Sequence, residues 1–220
     1  MKKLVKRKVR AQKIIKKLRS LYPDSKTELR YRNNWELLVA VILSAQCTDK
    51  RVNEVTEKLF RKYPKFGDYL KARKSEFEQD IRSTGFYRSK TRHILGAARA
   101  VKERFGGKIP RTIAELVTIP GVARKTANVV LANAYGIYEG IAIDTHVRRL
   151  ALKFDLTDSK NPVRIERDLM KIIPKKDWKY VNHQMVMYGR YICTARRHDC
   201  LEHPLTKIYP KAAFRWPKSR

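Results

Sequence analysis

The chain has 220 residues, of which 51 are Lys or Arg and 21 are Asp or Glu, so its formal net charge at pH 7 is +30. Hydrophobic residues make up 43% of the sequence, which excludes a disordered basic tail and predicts a folded protein. A charge this large repels itself unless a polyanion is near, so nucleic acid is the first expected partner and an anionic membrane surface the second.

Other classes of protein are excluded by the same inspection. The longest apolar run, Leu37 to Leu43, is far shorter than the roughly 20 residues that span a bilayer. No apolar signal-peptide core follows the basic N-terminus, so we expect no export. The cysteines are too few and too unevenly spaced for a disulfide framework. We therefore expect a soluble cytoplasmic protein, and a nucleoid-associated one if its partner is DNA.

The first predicted element is a basic helix. Residues 1–19 are rich in Lys and Arg and contain no acidic residue, while one helical face stays apolar through Ile14, Ile15, Leu18 and Leu21. Two interpretations are open. The segment is either a solvated amphipathic helix with a frayed start, or an arm that contacts phosphates.

Helices continue along the chain, because apolar residues recur every three or four positions and strand signals are weak. The predicted helices are, in order, Asn33 or Asn34 to near Cys47, Thr48 or Asp49 to before Pro64, about Ser89 to Arg104 closed by Gly106 and Gly107, and a short helix opened by a capping-box pattern at Thr112 and Glu115. The sequence therefore predicts an all-α fold.

The segment around Pro120 predicts a helical hairpin. Pro120 cannot continue the preceding helix, and Gly121 permits the positive φ that a tight reversal needs. Val122 can fill the space between the two helices, and the second helix begins at about Arg124. Its free N–H groups and the positive end of its dipole form an anion site that suits a DNA phosphate.

Lys125 lies in the first turn of that second helix. The helix is predicted to end at Gly136. Lys125 lies nearly opposite the apolar face that we expect to be buried, which consists of Ala127, Val130, Leu131 and Ala134. One interpretation is a phosphate-binding lysine. The other is an amine nucleophile, since nearby cations and the helix N-terminus disfavour a charged amine.

Asp144 follows a short apolar run and precedes another helical pattern. Its simplest role is an N-cap, worth about 1 kcal/mol. A carboxylate beside a cleft that carries a lysine can also stabilise developing positive charge, and both roles are kept open.

Taken together, these segments resemble the endonuclease III family, DNA glycosylases of the helix-hairpin-helix superfamily, from about residue 10 to residue 209. The matching segments are Leu37–Asp49 for a core helix and turn, Gly85–Lys90 for a DNA-wedge loop, Ile119–Val130 for the hairpin and Ile143–Val147 for the catalytic aspartate. The usual second glycine of the hairpin is Ala123 here, which weakens the case for very close backbone approach to DNA.

The resemblance implies a mechanism and a set of DNA contacts. Lys125 would attack the sugar C1′ as the damaged base leaves, and Asp144 would stabilise the cationic sugar. Gln46 would fill the emptied position and Phe86 would wedge into the stack, although a helix-end amide and a core aromatic are simpler roles for them. His146 would shape the pocket or contact phosphate, or serve only as a polar filler. The hairpin residues Gly121, Ala123 and Arg124, and Arg190 near the C-terminus, complete the predicted DNA contacts.

The C-terminal segment departs from the family pattern, which commonly ends in four cysteines that hold a [4Fe–4S] cluster. The matching positions here are Cys193, Cys200, His203 and Tyr209. Because such clusters are normally held by four thiolates, we expect no iron–sulfur cluster and no other cofactor. Zinc held by Cys193 and Cys200 with His198 and His203 is the alternative. Otherwise the loop is held by packing around Ile192, Leu201, Leu205, Ile208, Tyr209, Phe214 and Trp216.

By this resemblance we expect a monomeric, bifunctional DNA glycosylase and abasic-site lyase that acts on oxidised pyrimidines in duplex DNA. The alternatives are a mismatch thymine or uracil glycosylase, an 8-oxoguanine glycosylase, a non-catalytic DNA-binding module and an RNA-associated protein. The predicted architecture is a helical domain of residues 27–138 and a second one formed by 1–26 with 139–220, which contains the altered cluster loop 193–209. Lys125 and Asp144 are expected to face a DNA-binding cleft between them.

Overall fold

The computed structural model describes residues 2–23 and 27–217, and within them every regular element is helical, which confirms the all-α prediction. The α-helices are α1 (Lys2–Leu21), α2 (Asn34–Leu43), α3 (Asp49–Lys62), α4 (Phe66–Lys71), α5 (Lys74–Asp80), α6 (Tyr87–Phe105), α7 (Ile113–Leu116), α8 (Arg124–Tyr135), α9 (Thr145–Lys153), α10 (Pro162–Ile172) and α11 (Trp178–Tyr191). Short 3₁₀ turns lie at Arg82–Thr84, Lys175–Asp177 and Pro210–Phe214.

The chain divides into two compact units, Thr27–Ile137 and Met1–Lys26 with Tyr138–Arg220. The predicted boundary, between residues 138 and 139, lies one residue beyond the observed boundary, which is between residues 137 and 138. Each unit has its own hydrophobic core, so each can hold its functional side chains on a rigid frame.

The unit Thr27–Ile137 is built around α2. All of α2 from Trp35 to Leu43 is buried, and α3, α6 and α8 pack against it. The N-cap Asn33 accepts a hydrogen bond from the Glu36 N–H at 2.9 Å. The helix was predicted to run to near Cys47 but ends at Leu43, because the chain turns there to reach a left-handed conformation at Gln46. Helix α3 begins after its predicted cap, Thr48.

The second unit joins α1 to α9, α10 and α11. Ile14, Ile15 and Leu18 of α1 are buried in its core as predicted. The basic start of α1 is not frayed, since the helix begins at Lys2. Its basic side chains make specific pairs: Arg7 and Arg10 both bind the Asp155 carboxylate, at 2.8 and 2.9 Å. These arginines tie α1 to the end of α9, so α1 is an integral helix of the unit.

No helix in the described part of the chain is both long enough and apolar enough to cross a bilayer.

Candidate active site

The helical hairpin has the geometry that its sequence predicts. Gly121 has φ +81°, Val122 is buried between the helices, and α8 begins at Arg124. The residue before the helix, Ala123, has an extended backbone and no side-chain acceptor for the first N–H groups of α8. These N–H groups lie at the positive end of the helix dipole, where an anion is stabilised.

The hairpin is packed closely against α6. A Cβ at Gly121 would lie 2.7 Å from the His93 Cβ, a separation that real Cβ atoms do not adopt. Ala123, in contrast, has φ −83° and is exposed, so an alanine is accommodated where the family has its second glycine. The substitution leaves the reversal intact.

Lys125 is exposed in the first turn of α8, next to the exposed Arg124. On the other side of the helix, Ala127, Val130 and Leu131 are buried in the core, as predicted. Helix α8 ends at Gly136, with φ +64°, also as predicted. The packing of α8 therefore leaves the Lys125 amine free to approach a ligand at the phosphate-binding end of the hairpin.

Asp144 caps α9 in the second unit. Its backbone is extended, and its Oδ1 accepts a hydrogen bond from the Val147 N–H at 2.8 Å. The carboxylate is half-buried, and no described residue donates a hydrogen bond to its Oδ2. Asp144 therefore caps α9 through Oδ1, and this bond does not use its Oδ2.

His146 lies in the first turn of α9 and is half-buried against α11. Burial lowers the pKa of the His146 imidazole, and the charges of Arg149 and Arg190 lower it further, while Asp144 opposes the shift. Neutral imidazole is therefore the favoured form near pH 7. The ring contacts Gly189 of α11, so His146 fixes the contact between two helices, one of which is capped by Asp144.

Gln46 and Phe86 share an uncommon backbone conformation. Their φ angles are +53° and +49°, and only one other described non-glycine residue, Asp155, has a positive φ. Gln46 is exposed, and the Phe86 side chain is 64% exposed, which rules out core packing as its role. Strained backbone of this kind is concentrated at functional sites. Both side chains are presented to solvent by turns on the unit Thr27–Ile137.

Comparisons with known proteins assign the chain to a family. Residues 39–175 match the model of the HhH-GPD superfamily of base excision DNA repair proteins. The chain is 47% identical to endonuclease III of Synechocystis sp., over 96% of this chain and 97% of that protein. It belongs to the endonuclease III family. The chain is therefore a base-excision-repair enzyme, a DNA glycosylase/AP lyase.

Two solved structures of the endonuclease III family superpose on most of the chain. A non-covalent endonuclease III–DNA complex aligns with a TM-score of 0.87 at 42% identity, covering 93% of this chain and 96% of that one. A trapped endonuclease III–DNA covalent intermediate, an estranged-adenine complex, aligns with a TM-score of 0.86 at 42% identity, covering 92% and 96%. The fold is thus that of family members solved with DNA.

The C-terminal loop does not supply the donor set of the cluster found in many endonuclease III proteins. Cys193 and Cys200 are buried free thiols. Burial raises the pKa of the Cys193 thiol, although the charges of Lys153 and Arg149 oppose the shift, and Cys200 Sγ donates to the Ala213 carbonyl at 3.7 Å. A [4Fe–4S] cluster is normally held by four thiolates, and the two thiols, the imidazole and the phenol present here do not fit it.

The alternative zinc set is assembled only in part. Ligand atoms of Cys193, His198 and His203 lie within 4.8 Å of one another, but Cys200 is not part of this group. The Tyr209 ring, at the fourth cluster position, lies 3.9 Å from the Arg10 guanidinium. The His198 and His203 rings are stacked, and the buried atoms His198 Nε2 and His203 Nδ1 have no hydrogen-bond partner among the described residues.

The packing predicted for this loop is partly wrong. Leu205 is buried, but the side chains of Leu201 and Phe214 are 53% and 79% exposed. Leu205 lies in the core of the second unit, and Ile192, Ile208 and Tyr209 pack against that core, as predicted. Polar contacts that the sequence did not reveal also hold the loop. Buried Arg149 donates to the carbonyls of Gly189, Cys193 and Thr194, at 3.1, 2.6 and 3.0 Å. Backbone carbonyls are present at every position, so no residue pattern marks them as partners.

Two buried lysines were also missed. Lys153 is completely buried, donates to the Arg215 carbonyl at 3.0 Å and lies 3.6 Å from the centre of the Trp216 ring. Lys90 is 3% exposed in α6. A signal for Lys90 exists in the sequence, because it lies four residues before buried Ile94 on the same apolar stripe.

Proposed function

We propose that this member of the endonuclease III family acts on duplex DNA containing oxidised pyrimidines, with Lys125 as the nucleophile and Asp144 as its carboxylate partner. The observation that carries the proposal is the exposed position of Lys125 in the first turn of a helix whose cap residue, Ala123, provides no side-chain acceptor. A relative of the same fold was trapped as a covalent intermediate with DNA, as a lysine nucleophile requires.

The bond changes follow from the chemistry of an amine at a sugar carbon. Neutral Lys125 Nζ bonds to C1′, the bond between C1′ and the base breaks, and the base leaves with the electron pair and takes up a proton. Nζ then loses its surplus proton. The Nζ lone pair then forms an iminium with C1′ as the C1′–O4′ bond breaks, and O4′ leaves with the electron pair and takes up a proton. Loss of a proton from C2′ expels the 3′ phosphate as the C3′–O3′ bond breaks, and water then releases Lys125.

Asp144 assists this sequence in two ways. Its carboxylate accepts a proton from the attacking amine, and its negative charge stabilises positive charge that develops on the sugar. Its Oδ1 is held by the Val147 N–H, which fixes the orientation of the carboxylate. A group fixed in this way needs little reorganisation during the reaction.

Base rotation creates a gap in the duplex that must be filled. Gln46 is proposed to occupy it opposite the orphan base, and Phe86 to wedge between the neighbouring bases. Both side chains are exposed on left-handed turns, as an inserting side chain has to be. Adenine was the estranged base in the trapped relative, and adenine's usual partner is thymine, a pyrimidine. His146 is proposed to shape the pocket beside Asp144 or to contact a phosphate, and Arg190 is proposed to contact a phosphate.

The cofactor content follows from the donor set. We propose that the enzyme works as a monomer without an iron–sulfur cluster, since two of the four donor positions hold His203 and Tyr209. Its place of action is the compartment that contains the DNA.

The central experiment is covalent trapping. Wild-type protein, Lys125→Ala and the surface control Lys102→Ala are incubated with abasic duplex DNA and borohydride. We expect an adduct with the wild type and Lys102→Ala and none with Lys125→Ala. A binding module would give no adduct with any variant. Active protein is analysed in parallel for iron, sulfide and zinc, and stoichiometric iron and sulfide would contradict the cofactor proposal.

Asp144→Asn separates catalysis from capping. Asn caps a helix about as well as Asp, so stability should hardly change. Loss of the charge should lower the single-turnover rate by about 10²- to 10⁴-fold. A panel of duplexes with oxidised pyrimidines, oxidised guanine, or thymine or uracil opposite guanine identifies the substrate. Preference for any class other than oxidised pyrimidines would contradict the proposed specificity.

A further inference from the structure

Lys90 is a buried cation in the same unit as Gln46 and Phe86. It lies in the first turn of α6 with 3% of its surface exposed. Its Nζ donates to the Leu43 carbonyl at 2.7 Å and to the Thr84 carbonyl at 2.8 Å. These two acceptors are far apart in sequence, so one side chain connects two separate segments.

Each of the two carbonyls immediately precedes a turn that presents an exposed side chain. Leu43 is the last residue of α2, and Gln46 follows three residues later. Thr84 ends the 3₁₀ turn Arg82–Thr84, and Phe86 follows two residues later. The Lys90 amine is therefore the common anchor of the Gln46 turn and the Phe86 turn.

Both turns need an anchor of this kind. Gln46 and Phe86 have left-handed φ angles, which cost free energy for residues with a side chain. Their exposed side chains make few contacts that could offset this cost. Local backbone bonds close each turn, from the Cys47 N–H to the Ser44 carbonyl and from the Lys90 N–H to the Phe86 carbonyl. The Lys90 amine adds a bond to the residue that leads into each turn, and it is the group that the two turns share.

A lysine at position 90 needs an explanation, because burying a charged amine costs free energy. Burial lowers the pKa of the Lys90 amine, which shows that the charged form is disfavoured at this position, although Cys47 partly opposes the shift. An apolar side chain of similar size would avoid that cost. The benefit of the amine is directional, since its N–H groups can bind two carbonyls at once.

On these grounds we infer that Lys90 is a positioning residue that fixes the Gln46 and Phe86 turns relative to each other for insertion into duplex DNA. This rests on the proposed function, because insertion matters only if a nucleotide, with or without its base, is rotated out of the duplex. Preorganised groups lose less free energy when they meet their target, so a loosened pair of turns slows processing of a duplex. Single-stranded DNA has no opposite strand and leaves no gap to fill, so it needs neither turn.

The test compares abasic cleavage in duplex and single-stranded DNA for wild type and Lys90→Met. We expect the duplex kcat/KM of Lys90→Met to fall by about 10- to 100-fold. The single-stranded value should change less than about threefold, as should the yield of borohydride adduct on single strands. Lys90→Arg, which keeps both donors, should retain most of the duplex activity. Equal losses on both substrates would overturn the inference, because they indicate a general folding defect.

A second measurement identifies the route of the effect. In a Gln46→Ala, Phe86→Ala background there is no side chain left to position, so adding Lys90→Met should cause no further loss on duplex DNA. A full additional loss would contradict the inference. If Lys90→Met does not fold, Lys90→Gln replaces it, because its shorter amide cannot hold both carbonyls and should give a smaller selective loss. A wild type that forms no Lys125 adduct would instead refute the proposed function.

Discussion

Gly121 and Gly189 show two ways in which a helix contact can require glycine. At both positions a Cβ would meet a histidine, the His93 Cβ at 2.7 Å for Gly121 and the His146 Nδ1 at 2.8 Å for Gly189. Gly121 sits in the hairpin turn with φ +81°, whereas Gly189 lies inside α11 without a left-handed φ. The first glycine is demanded by the backbone and the neighbour together, and the second by the neighbour alone.

The difference decides what a sequence can reveal. A Pro-Gly pair between two helical patterns predicts a reversal from local stereochemistry. A glycine inside a helix is locally unfavourable by about 1 kcal/mol relative to alanine, so local rules predict that Gly189 should be replaced. Only the approach of α9 explains its presence.

The largest effect is expected at the hairpin. Gly121→Ala adds a Cβ against the His93 Cβ and imposes a left-handed conformation on alanine, so unfolding free energy should fall by about 2–4 kcal/mol. Binding to duplex DNA should weaken because the start of α8 moves. Chemical denaturation and a DNA titration measure both effects.

Gly136→Ala is the matched control for that variant. Gly136 also has a left-handed φ, +64°, but nothing lies within 4 Å of its would-be Cβ. Only backbone strain remains, and the expected loss is about 1–2 kcal/mol with DNA binding unchanged. Equal losses at Gly121 and Gly136 would show that the His93 contact contributes nothing.

A smaller effect is expected for Gly189→Ala. The new methyl group would crowd the His146 ring and the Arg149 guanidinium, at 2.8 and 3.1 Å, while alanine improves helix propensity. Overpacking costs about 1–3 kcal/mol, so a net loss of about 1–2 kcal/mol should remain. Gly67→Ala in α4, where nothing lies within 4 Å, should be neutral or stabilising by up to about 1 kcal/mol. Stabilisation by both substitutions would refute the close contact.

The smallest effect is a pH dependence at the same contact. Burial lowers the pKa of His146 in the folded state, with Arg149 and Arg190 acting in the same direction and Asp144 opposing them. The unfolded imidazole, with a pKa of about 6.5, therefore binds a proton first as the pH falls, and stability decreases below that value. Melting temperatures at about pH 7.5 and pH 5.5 should differ less for His146→Gln than for the wild type. Equal differences would exclude His146 as the source.

Much of the candidate site could be predicted from residues close in the chain. The start of α8, the reversal at Gly121, the end at Gly136 and the cap at Asp144 all depend on contacts within a few residues. The exposure of Phe86 was left undecided, because one turn gives no information on what packs around it. Leu201 and Phe214 were wrongly predicted to be packed for the same reason, and both are exposed.

By itself, the sequence determined the helical class, the hairpin, the family and the residues expected to carry the chemistry, because these depend on local backbone preferences and on motifs. The tertiary structure alone decided that Arg149 and Lys153 are buried, and which carbonyls they and Lys90 bind. Their acceptors are backbone groups that every residue carries. Which carbonyl accepts each hydrogen bond depends on the distance and angle between donor and acceptor in the folded chain, and the side-chain pattern of the sequence does not contain this information.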